Sequence, residues 1–160
     1  MYRIIDLFCG IGGFSYGFEM TKKYKTILGI DNWSVALDTF KKNHKSTKVH
    51  QGDIRTLDSK FWVEYRNNVD VIIAGPPCQG FSMAGKRDVL DERNNLFHEV
   101  VRITKEIQPK IVVIENVVGL VSMTSPEGIP IKDIILKNFK ELGYFIDFKI
   151  LNASDYGVPQ

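Results

Sequence analysis

The alternation of short apolar runs with helix-length segments is the feature that most constrains how this chain can fold. Two of the intervening segments, 96–107 and 131–142, carry apolar residues at helical spacing. Alternating strands and helices predict an α/β fold with a doubly wound, mostly parallel sheet and right-handed crossovers. The strand-like runs are Tyr2 to Phe8, Lys25 to Asp31, Thr47 to Asp53, Asp70 to Gly75, Lys110 to Asn116 and Tyr144 to Asn152.

Residues capable of chemistry follow the predicted strands. In a doubly wound sheet the ligand crevice lies beyond the carboxyl ends of the strands. These ends carry Phe8 to Gly13, Asp31, Asp53, Pro76 to Ser82 and Glu115. The sequence therefore predicts one site built from several loops, within a single domain spanning residues 1–160.

Composition narrows the function classes only slightly. The 21 basic and 19 acidic residues are too evenly balanced to indicate nucleic-acid binding by themselves. No apolar run approaches the roughly 20 residues of a membrane span, and no cleavable signal is expected. The two cysteines lie in functional contexts, which favours a reducing, cytoplasmic setting. The three histidines have no ligand-like spacing, so no metal site is expected.

The glycine run after the first strand indicates a nucleoside site. Gly10, Gly12 and Gly13 would let backbone N–H groups approach a ligand, although a tight turn alone would also explain them. Asp31 follows Gly13 by 18 residues, where an acid typically binds ribose hydroxyls. Asp53 would accept from an adenine amino group.

The spacing of the glycines helps to distinguish between two candidate classes of nucleotide cofactor. The run is G-x-G-G, which departs from the G-x-G-x-x-G of dinucleotide sites. S-adenosylmethionine carries no phosphate and needs a tight loop, an acid on its ribose and flat apolar contact with its adenine. Phe8 could supply that contact or could be a core aromatic residue.

The segment "AGPPCQGFS" places a thiol after a strand. Pro76 and Pro77 stop the strand and predict a rigid turn that exposes Cys78. Glu115 ends the next strand and would face the same crevice. A thiolate can add to an electron-poor ring carbon, and a glutamic acid whose pKa is raised by burial can protonate the ring nitrogen.

Cytosine suits this pair of groups. Attack at C6 makes C5 nucleophilic, so C5 can take a methyl group from a sulfonium. In a duplex the target base is stacked and would have to be flipped out.

Four motifs in order, "DLFCGIGGF", "GID" with "GDI", "GPPCQGFS" and "ENV", give the chain a family resemblance. It resembles the N-terminal catalytic and cofactor-binding part of a DNA cytosine-5 methyltransferase. The resemblance implies a Rossmann-like S-adenosylmethionine-dependent fold, Cys78 as nucleophile and Glu115 at the cytosine ring. It also implies a bacterial restriction–modification role, double-stranded DNA with a flipped cytosine as substrate, and S-adenosylhomocysteine as product.

The same resemblance implies two sets of binding residues. Cofactor contacts are expected from Phe8, Gly10, Ile11, Gly12, Gly13, Asp31, Asn32, Asp53, Ile54, Pro77 and Leu96. DNA contacts are expected from a closing loop with Gln79, Ser82, Lys86 and Arg87, unless this loop is simply solvated.

The last residues, "LNASDYGVPQ", are where the resemblance stops. Members of the family continue into a target-recognition region and a segment that completes the sheet, so we expect a fold that is incomplete at its C-terminus. The chain would then be a fragment, or half of a split enzyme with a second chain, and inactive alone. Three alternatives stay open: a transfer-RNA cytosine-5 methyltransferase, a non-catalytic binding module, and a thiol enzyme that pairs Cys78 with His98.

Overall fold

The structure is a computed structural model that describes residues 1–77, 96–125 and 128–159. The chain divides into two compact units, Met1–Val117 and Val118–Gln160. Among the described residues no helix is both long enough and apolar enough to span a membrane.

The first unit is built on a five-stranded sheet in which every neighbouring pair is parallel. The strand order is β3-β2-β1-β4-β5, so β1 is central and the chain winds first to one side and then to the other. This arrangement confirms the predicted parallel α/β sheet. The strands are β1 (Tyr2–Leu7), β2 (Tyr24–Asp31), β3 (Lys48–Gln51), β4 (Val71–Ala74) and β5 (Ile111–Ile114).

The helices follow the strands as the sequence pattern predicts. The apolar spacing of the 96–107 segment forms one helix face, and Val100, Ile103 and Ile107 are fully buried there. The helices of the first unit are α1 (Gly13–Glu19), α2 (Ser34–Asn43), α3 (Ser59–Trp62) and α4 (Leu96–Ile107), and a 3₁₀ turn spans Ile54–Thr56.

The core lies around the two central strands. Every residue of β4 is buried, as are the last four residues of β1. Near-continuous apolar runs such as "VIIA" suit strands that are covered on both faces, because both side-chain directions meet packed neighbours.

One acidic residue of this core, Asp6, binds the first turn of α1. Gly12, the N-cap of α1, has no side chain that could cap the helix. Asp6 of β1 supplies the missing acceptor: Ser15 Oγ donates to Asp6 Oδ2 at 2.6 Å, and the Ser15 backbone N–H also donates to this carboxylate. Burial raises the pKa of Asp6 to about 7, despite these hydrogen bonds.

The second unit contains α5 (Ile131–Glu141), with 3₁₀ turns at Val118–Ser122 and Ala153–Tyr156. The predicted helix at 131–142 is confirmed. The predicted strand from Tyr144 to Asn152 is wrong, since this segment has no regular structure. A strand requires a neighbouring backbone for its hydrogen bonds, and no such ladder forms at this segment in the described part of the chain.

Candidate cofactor and catalytic site

The loop between β1 and α1 turns sharply through three residues with positive φ. Phe8 has φ 63°, Gly10 has φ 52° and Gly12 has φ 91°. A bulky residue such as phenylalanine rarely adopts this conformation, which costs roughly 1–2 kcal/mol. The loop is held by short backbone hydrogen bonds, from Cys9 N–H to the Ile30 carbonyl at 3.0 Å and from Gly12 N–H to the Cys9 carbonyl at 2.8 Å.

The glycines of this loop face opposite ways. A Cβ at Gly12 would overlap the His44 ring and lie 2.8 Å from Phe40 Cδ2. A Cβ at Gly10 or Gly13 would meet no described atom within 4 Å. The loop therefore packs on one side against α2 and its C-cap, and its other side is open among the described residues.

Cys9 lies on the packed side of the loop. It is buried and packs against Leu37 and Phe40. Burial raises the pKa of the Cys9 thiol, with smaller contributions from Asp6 and Asp31. A buried thiol of this kind is a packing group rather than a nucleophile.

Asp31 joins the glycine loop to the end of β2. Its Oδ2 accepts from the Gly10 N–H at 2.8 Å, and its Oδ1 accepts from the Trp33 N–H at 2.9 Å. Each carboxylate oxygen keeps a further lone pair, so Asp31 can still accept from two hydroxyl groups. The structure thus brings together the predicted loop and the predicted ribose-binding acid, with the exposed Asn32 beside them.

Asp53 forms an ion pair that the sequence reasoning missed. Arg55 Nε lies 3.0 Å from both Asp53 oxygens, and an Arg55 terminal nitrogen donates to Oδ2 at 2.6 Å. The Arg55 backbone N–H also donates to Oδ1, which caps the 3₁₀ turn. Hydrogen bonds from the Arg55 side chain, then from its backbone, hold the pKa of Asp53 below its usual value. The sequence holds a single sign of this ion pair, namely that an aspartate and an arginine stand two positions apart.

A side chain of α4 holds the turn that follows Asp53. Ile54 is buried, and its carbonyl accepts from Arg102 at 3.2 Å. Arg102 also pairs with Glu99, one turn earlier on the same helix, at 2.6 Å. Leu96, another predicted cofactor contact, begins this helix. The ends of β2 and β3 adjoin, because the Gly52 N–H donates to the Asp31 carbonyl at 3.0 Å.

Glu115 lies beside the segment that leads to the predicted nucleophile. Its N–H donates to the Ala74 carbonyl at 2.9 Å, and a Cβ at Gly75 would lie 3.6 Å from its Oε2. Gly75 precedes Cys78 by three residues. Glu115 is exposed and follows β5, which has a single neighbouring strand in the described sheet.

The remaining predicted residues divide into two groups. Ile11 and Pro77 are described, and both are exposed. The predicted nucleophile and the predicted DNA-binding loop lie outside the described residues: Cys78, Gln79, Ser82, Lys86 and Arg87.

Comparison with known proteins decides the family. The family described as C-5 cytosine-specific DNA methylase matches residues 2–160. The chain belongs to this family. The DNA methylase match covers all four of the sequence motifs.

Individual relatives agree with this assignment. The chain is 48% identical to the type II methyltransferase M.DdeI of Desulfomicrobium norvegicum, over 99% of this chain and 38% of that protein. It is 44% identical to M1.HphI of Haemophilus parahaemolyticus, over 98% of this chain and 42% of that protein. A crystal structure of a Spodoptera frugiperda DNMT2 mutant has a TM-score of 0.67 at 26% identity, covering 88% of this chain and 41% of that chain. The methylase chain thus spans about two fifths of the length of these relatives.

Proposed function

We propose that this chain forms the cofactor-binding and cytosine-activating part of a DNA cytosine-5 methyltransferase of a bacterial, cytoplasmic restriction–modification system. One observation carries the proposal: Asp31 accepts from the N–H of Gly10, a glycine where an added Cβ would meet no described atom within 4 Å. The same sheet edge carries Glu115 against Gly75. Membership in the DNA methylase family supplies the reaction class.

The residues present fit S-adenosylmethionine. The open side of Gly10 and Gly13 offers room for its amino-acid part, and the two unused lone pairs of Asp31 suit its ribose hydroxyls. Phe8, held at positive φ at the start of the loop, is available for the adenine ring. Asp53 would accept from the adenine amino group through a carboxylate that Arg55 orients. Ile11, Asn32, Ile54, Pro77 and Leu96 complete the proposed set.

The proposed chemistry belongs to Cys78 and Glu115. The Cys78 thiolate forms a bond to C6 of a flipped cytosine, and Glu115 donates a proton to the ring nitrogen that gains the negative charge. When bound, S-adenosylmethionine supplies the methyl group that C5 accepts. Loss of the C5 proton to a base then breaks the C6–S bond and releases the thiolate, and the ring nitrogen returns its proton to Glu115, which restores the ring. Gln79, Ser82, Lys86 and Arg87 are proposed to contact the DNA.

Cofactor binding can be tested with the chain as it is. Titration calorimetry with S-adenosylhomocysteine should give saturable binding, and Asp31→Ala should weaken it by about tenfold or more, since it removes charged acceptors. Asp38→Ala, on the exposed side of α2, is the matched control and should bind as wild type. Absence of binding to the folded wild-type chain would refute the cofactor site.

The nucleophile requires a covalent trap. The chain would be combined with the part of M.DdeI that it does not span, tritiated S-adenosylmethionine and DNA containing 5-fluorocytosine, which cannot lose its C5 substituent. We expect a covalent adduct with wild type and with Cys9→Ala, and none with Cys78→Ala. An adduct that persists in Cys78→Ala, or no adduct from any combination, would refute the mechanism. A parallel reaction with RNA tests the transfer-RNA alternative.

A further inference from the structure

His44, the C-cap of α2, is a buried histidine whose two ring nitrogens both contact oxygen atoms. Nε2 lies 3.2 Å from the Gly12 carbonyl oxygen, and Nδ1 lies 2.9 Å from Glu19 Oε2. The side chain has no exposed surface, and its ring packs on Phe40 with 4.3 Å between centroids. His44 therefore connects the glycine loop to the last residue of α1.

The partners of His44 determine which nitrogen carries hydrogen. A carbonyl oxygen can only accept, so the contact with Gly12 requires hydrogen on Nε2. Nδ1 then either donates to an ionised Glu19 or accepts from a protonated Glu19. In both arrangements one proton lies between Nδ1 and the carboxyl group, and Nε2–H points at the loop.

Glu19 anchors this arrangement to the sheet. Its second oxygen, Oε1, accepts from the Thr26 backbone N–H of β2 at 2.9 Å. The chain of contacts therefore runs from β2 through Glu19 and His44 to Gly12. Gly12 has φ 91°, and a Cβ there would also lie 2.7 Å from His44 Cδ2, so the ring occupies the space that any side chain would need.

We propose that His44 is a positioning residue that fixes the Gly12 carbonyl through Nε2–H and thereby holds open the loop face that binds the cofactor. This inference rests on the proposed function, because the ligand of the loop is S-adenosylmethionine only if that function is correct. His44 does not touch the ligand. It acts through the backbone of Gly12, which is two residues from Gly10 and its contact with Asp31.

Two substitutions of His44 test the contacts of its two ring nitrogens one at a time. The amide of His44→Gln can reach the position of Nε2 and keep the contact with Gly12, whereas the shorter amide of His44→Asn reaches only the position of Nδ1 and keeps Glu19. We expect the dissociation constant for S-adenosylhomocysteine to rise about tenfold in His44→Asn and to stay within about threefold of wild type in His44→Gln. Each variant loses one contact, so their melting temperatures should fall by similar amounts.

A purely structural role predicts a different result. Binding would then follow stability, and the two variants would weaken it equally, which would overturn the inference. Glu19→Gln is a further control, because its amide oxygen can accept from Thr26 and its amide N–H can donate to Nδ1. It should retain both wild-type affinity and the Gly12 contact.

Nuclear magnetic resonance tests the inference without any ligand. Long-range ¹H–¹⁵N spectra of the full wild-type chain should show His44 protonated at Nε2, and absence of that hydrogen would overturn the inference even if His44→Asn does not fold. Amide resonances of Gly10 and Gly12 should move in His44→Asn and stay near their wild-type positions in His44→Gln. If the wild-type chain binds no S-adenosylhomocysteine, the proposed function fails, and these spectra alone decide the positioning role.

Discussion

At the scale of single residues, Gly12 and Gly13 are neighbours with opposite environments. Gly12→Ala places a methyl group into the His44 ring at positive φ, so we expect a loss of more than about 2 kcal/mol in the free energy of unfolding. Gly13→Ala adds a methyl group in open space at the start of α1, so stability should change by less than about 0.5 kcal/mol. Urea denaturation measures both changes.

The same two glycine positions distinguish an effect on stability from an effect on ligand binding. If the open side of the loop holds the ligand, Gly13→Ala should weaken S-adenosylhomocysteine binding although it leaves stability intact. A Gly13→Ala protein that is stable and binds as tightly as wild type would show that the ligand does not approach this glycine.

Asp6 predicts an unusual pH dependence of stability. Burial raises its pKa from the ordinary 3.8 to about 7, so the folded state favours the protonated acid. The stability that this proton provides is complete below about pH 4 and is lost as the pH rises through about 7, with a slope of at most about 1.4 kcal/mol per pH unit. Asp6→Asn keeps an acceptor for Ser15 and should remove that decline.

Denaturation curves between pH 5 and 8 test this expectation. The difference in unfolding free energy between Asp6→Asn and wild type should grow in favour of the variant as the pH rises. Asp38→Asn, at an exposed position, is the control and should parallel wild type. Parallel curves for all three proteins would contradict the assignment of the pH dependence to Asp6.

Sequence reasoning predicted some contacts of the candidate site and missed others for a physical reason. Strand order brings the ends of neighbouring parallel strands together, so the proximity of Asp31 to the glycine loop followed from topology. The Asp53–Arg55 ion pair and the His44 contacts depend on which rotamer each side chain adopts. Periodicity carries no information about rotamers, so these contacts needed coordinates.

At the scale of elements, Asp70 ties together the amino ends of β1 and β5. It accepts from the Arg3 N–H at 2.9 Å and from Lys110 Nζ at 2.7 Å. The hydrogen bond from Lys110, then that from Arg3, lowers the pKa of Asp70, so its contribution to stability is present above its ordinary pKa and is lost as the pH falls through the lowered value. We expect Asp70→Asn to cost about 1 kcal/mol at pH 7.

A double-mutant cycle checks the origin of that cost. Chemical denaturation of Asp70→Asn, Lys110→Ala and the double variant should give a coupling energy at pH 7 that shrinks as the solution is acidified. A coupling energy that is zero at pH 7 would mean that Lys110 does not stabilise Asp70.

The predicted strands show where local pattern is sufficient and where it is not. The five strands of the sheet each have a parallel partner, and each overlaps a predicted strand-like run. The run from Tyr144 to Asn152 has similar composition but forms no strand, and Phe145 is 97% exposed. An apolar run predicts a strand only when another backbone is available to pair with it.

At the scale of the whole molecule, the division into two units makes a further prediction about binding. Every predicted cofactor and catalytic residue precedes the boundary at Val117, and the five-stranded sheet lies wholly within Met1–Val117. Because the proposed ligand contacts come from the ends of β1, β2, β3 and β4 and from α4, residues 118–160 supply none of them. A protein comprising residues 1–117 should therefore fold and bind S-adenosylhomocysteine within about threefold of the full chain.

Circular dichroism and calorimetry on the two lengths test this prediction together, with Asp31→Ala in each length as the control for specific binding. A shortened protein that is folded and binds more than tenfold more weakly would show that the second unit contributes to the site. Equal affinities, with equal losses on Asp31→Ala, would place the whole cofactor site on the parallel sheet.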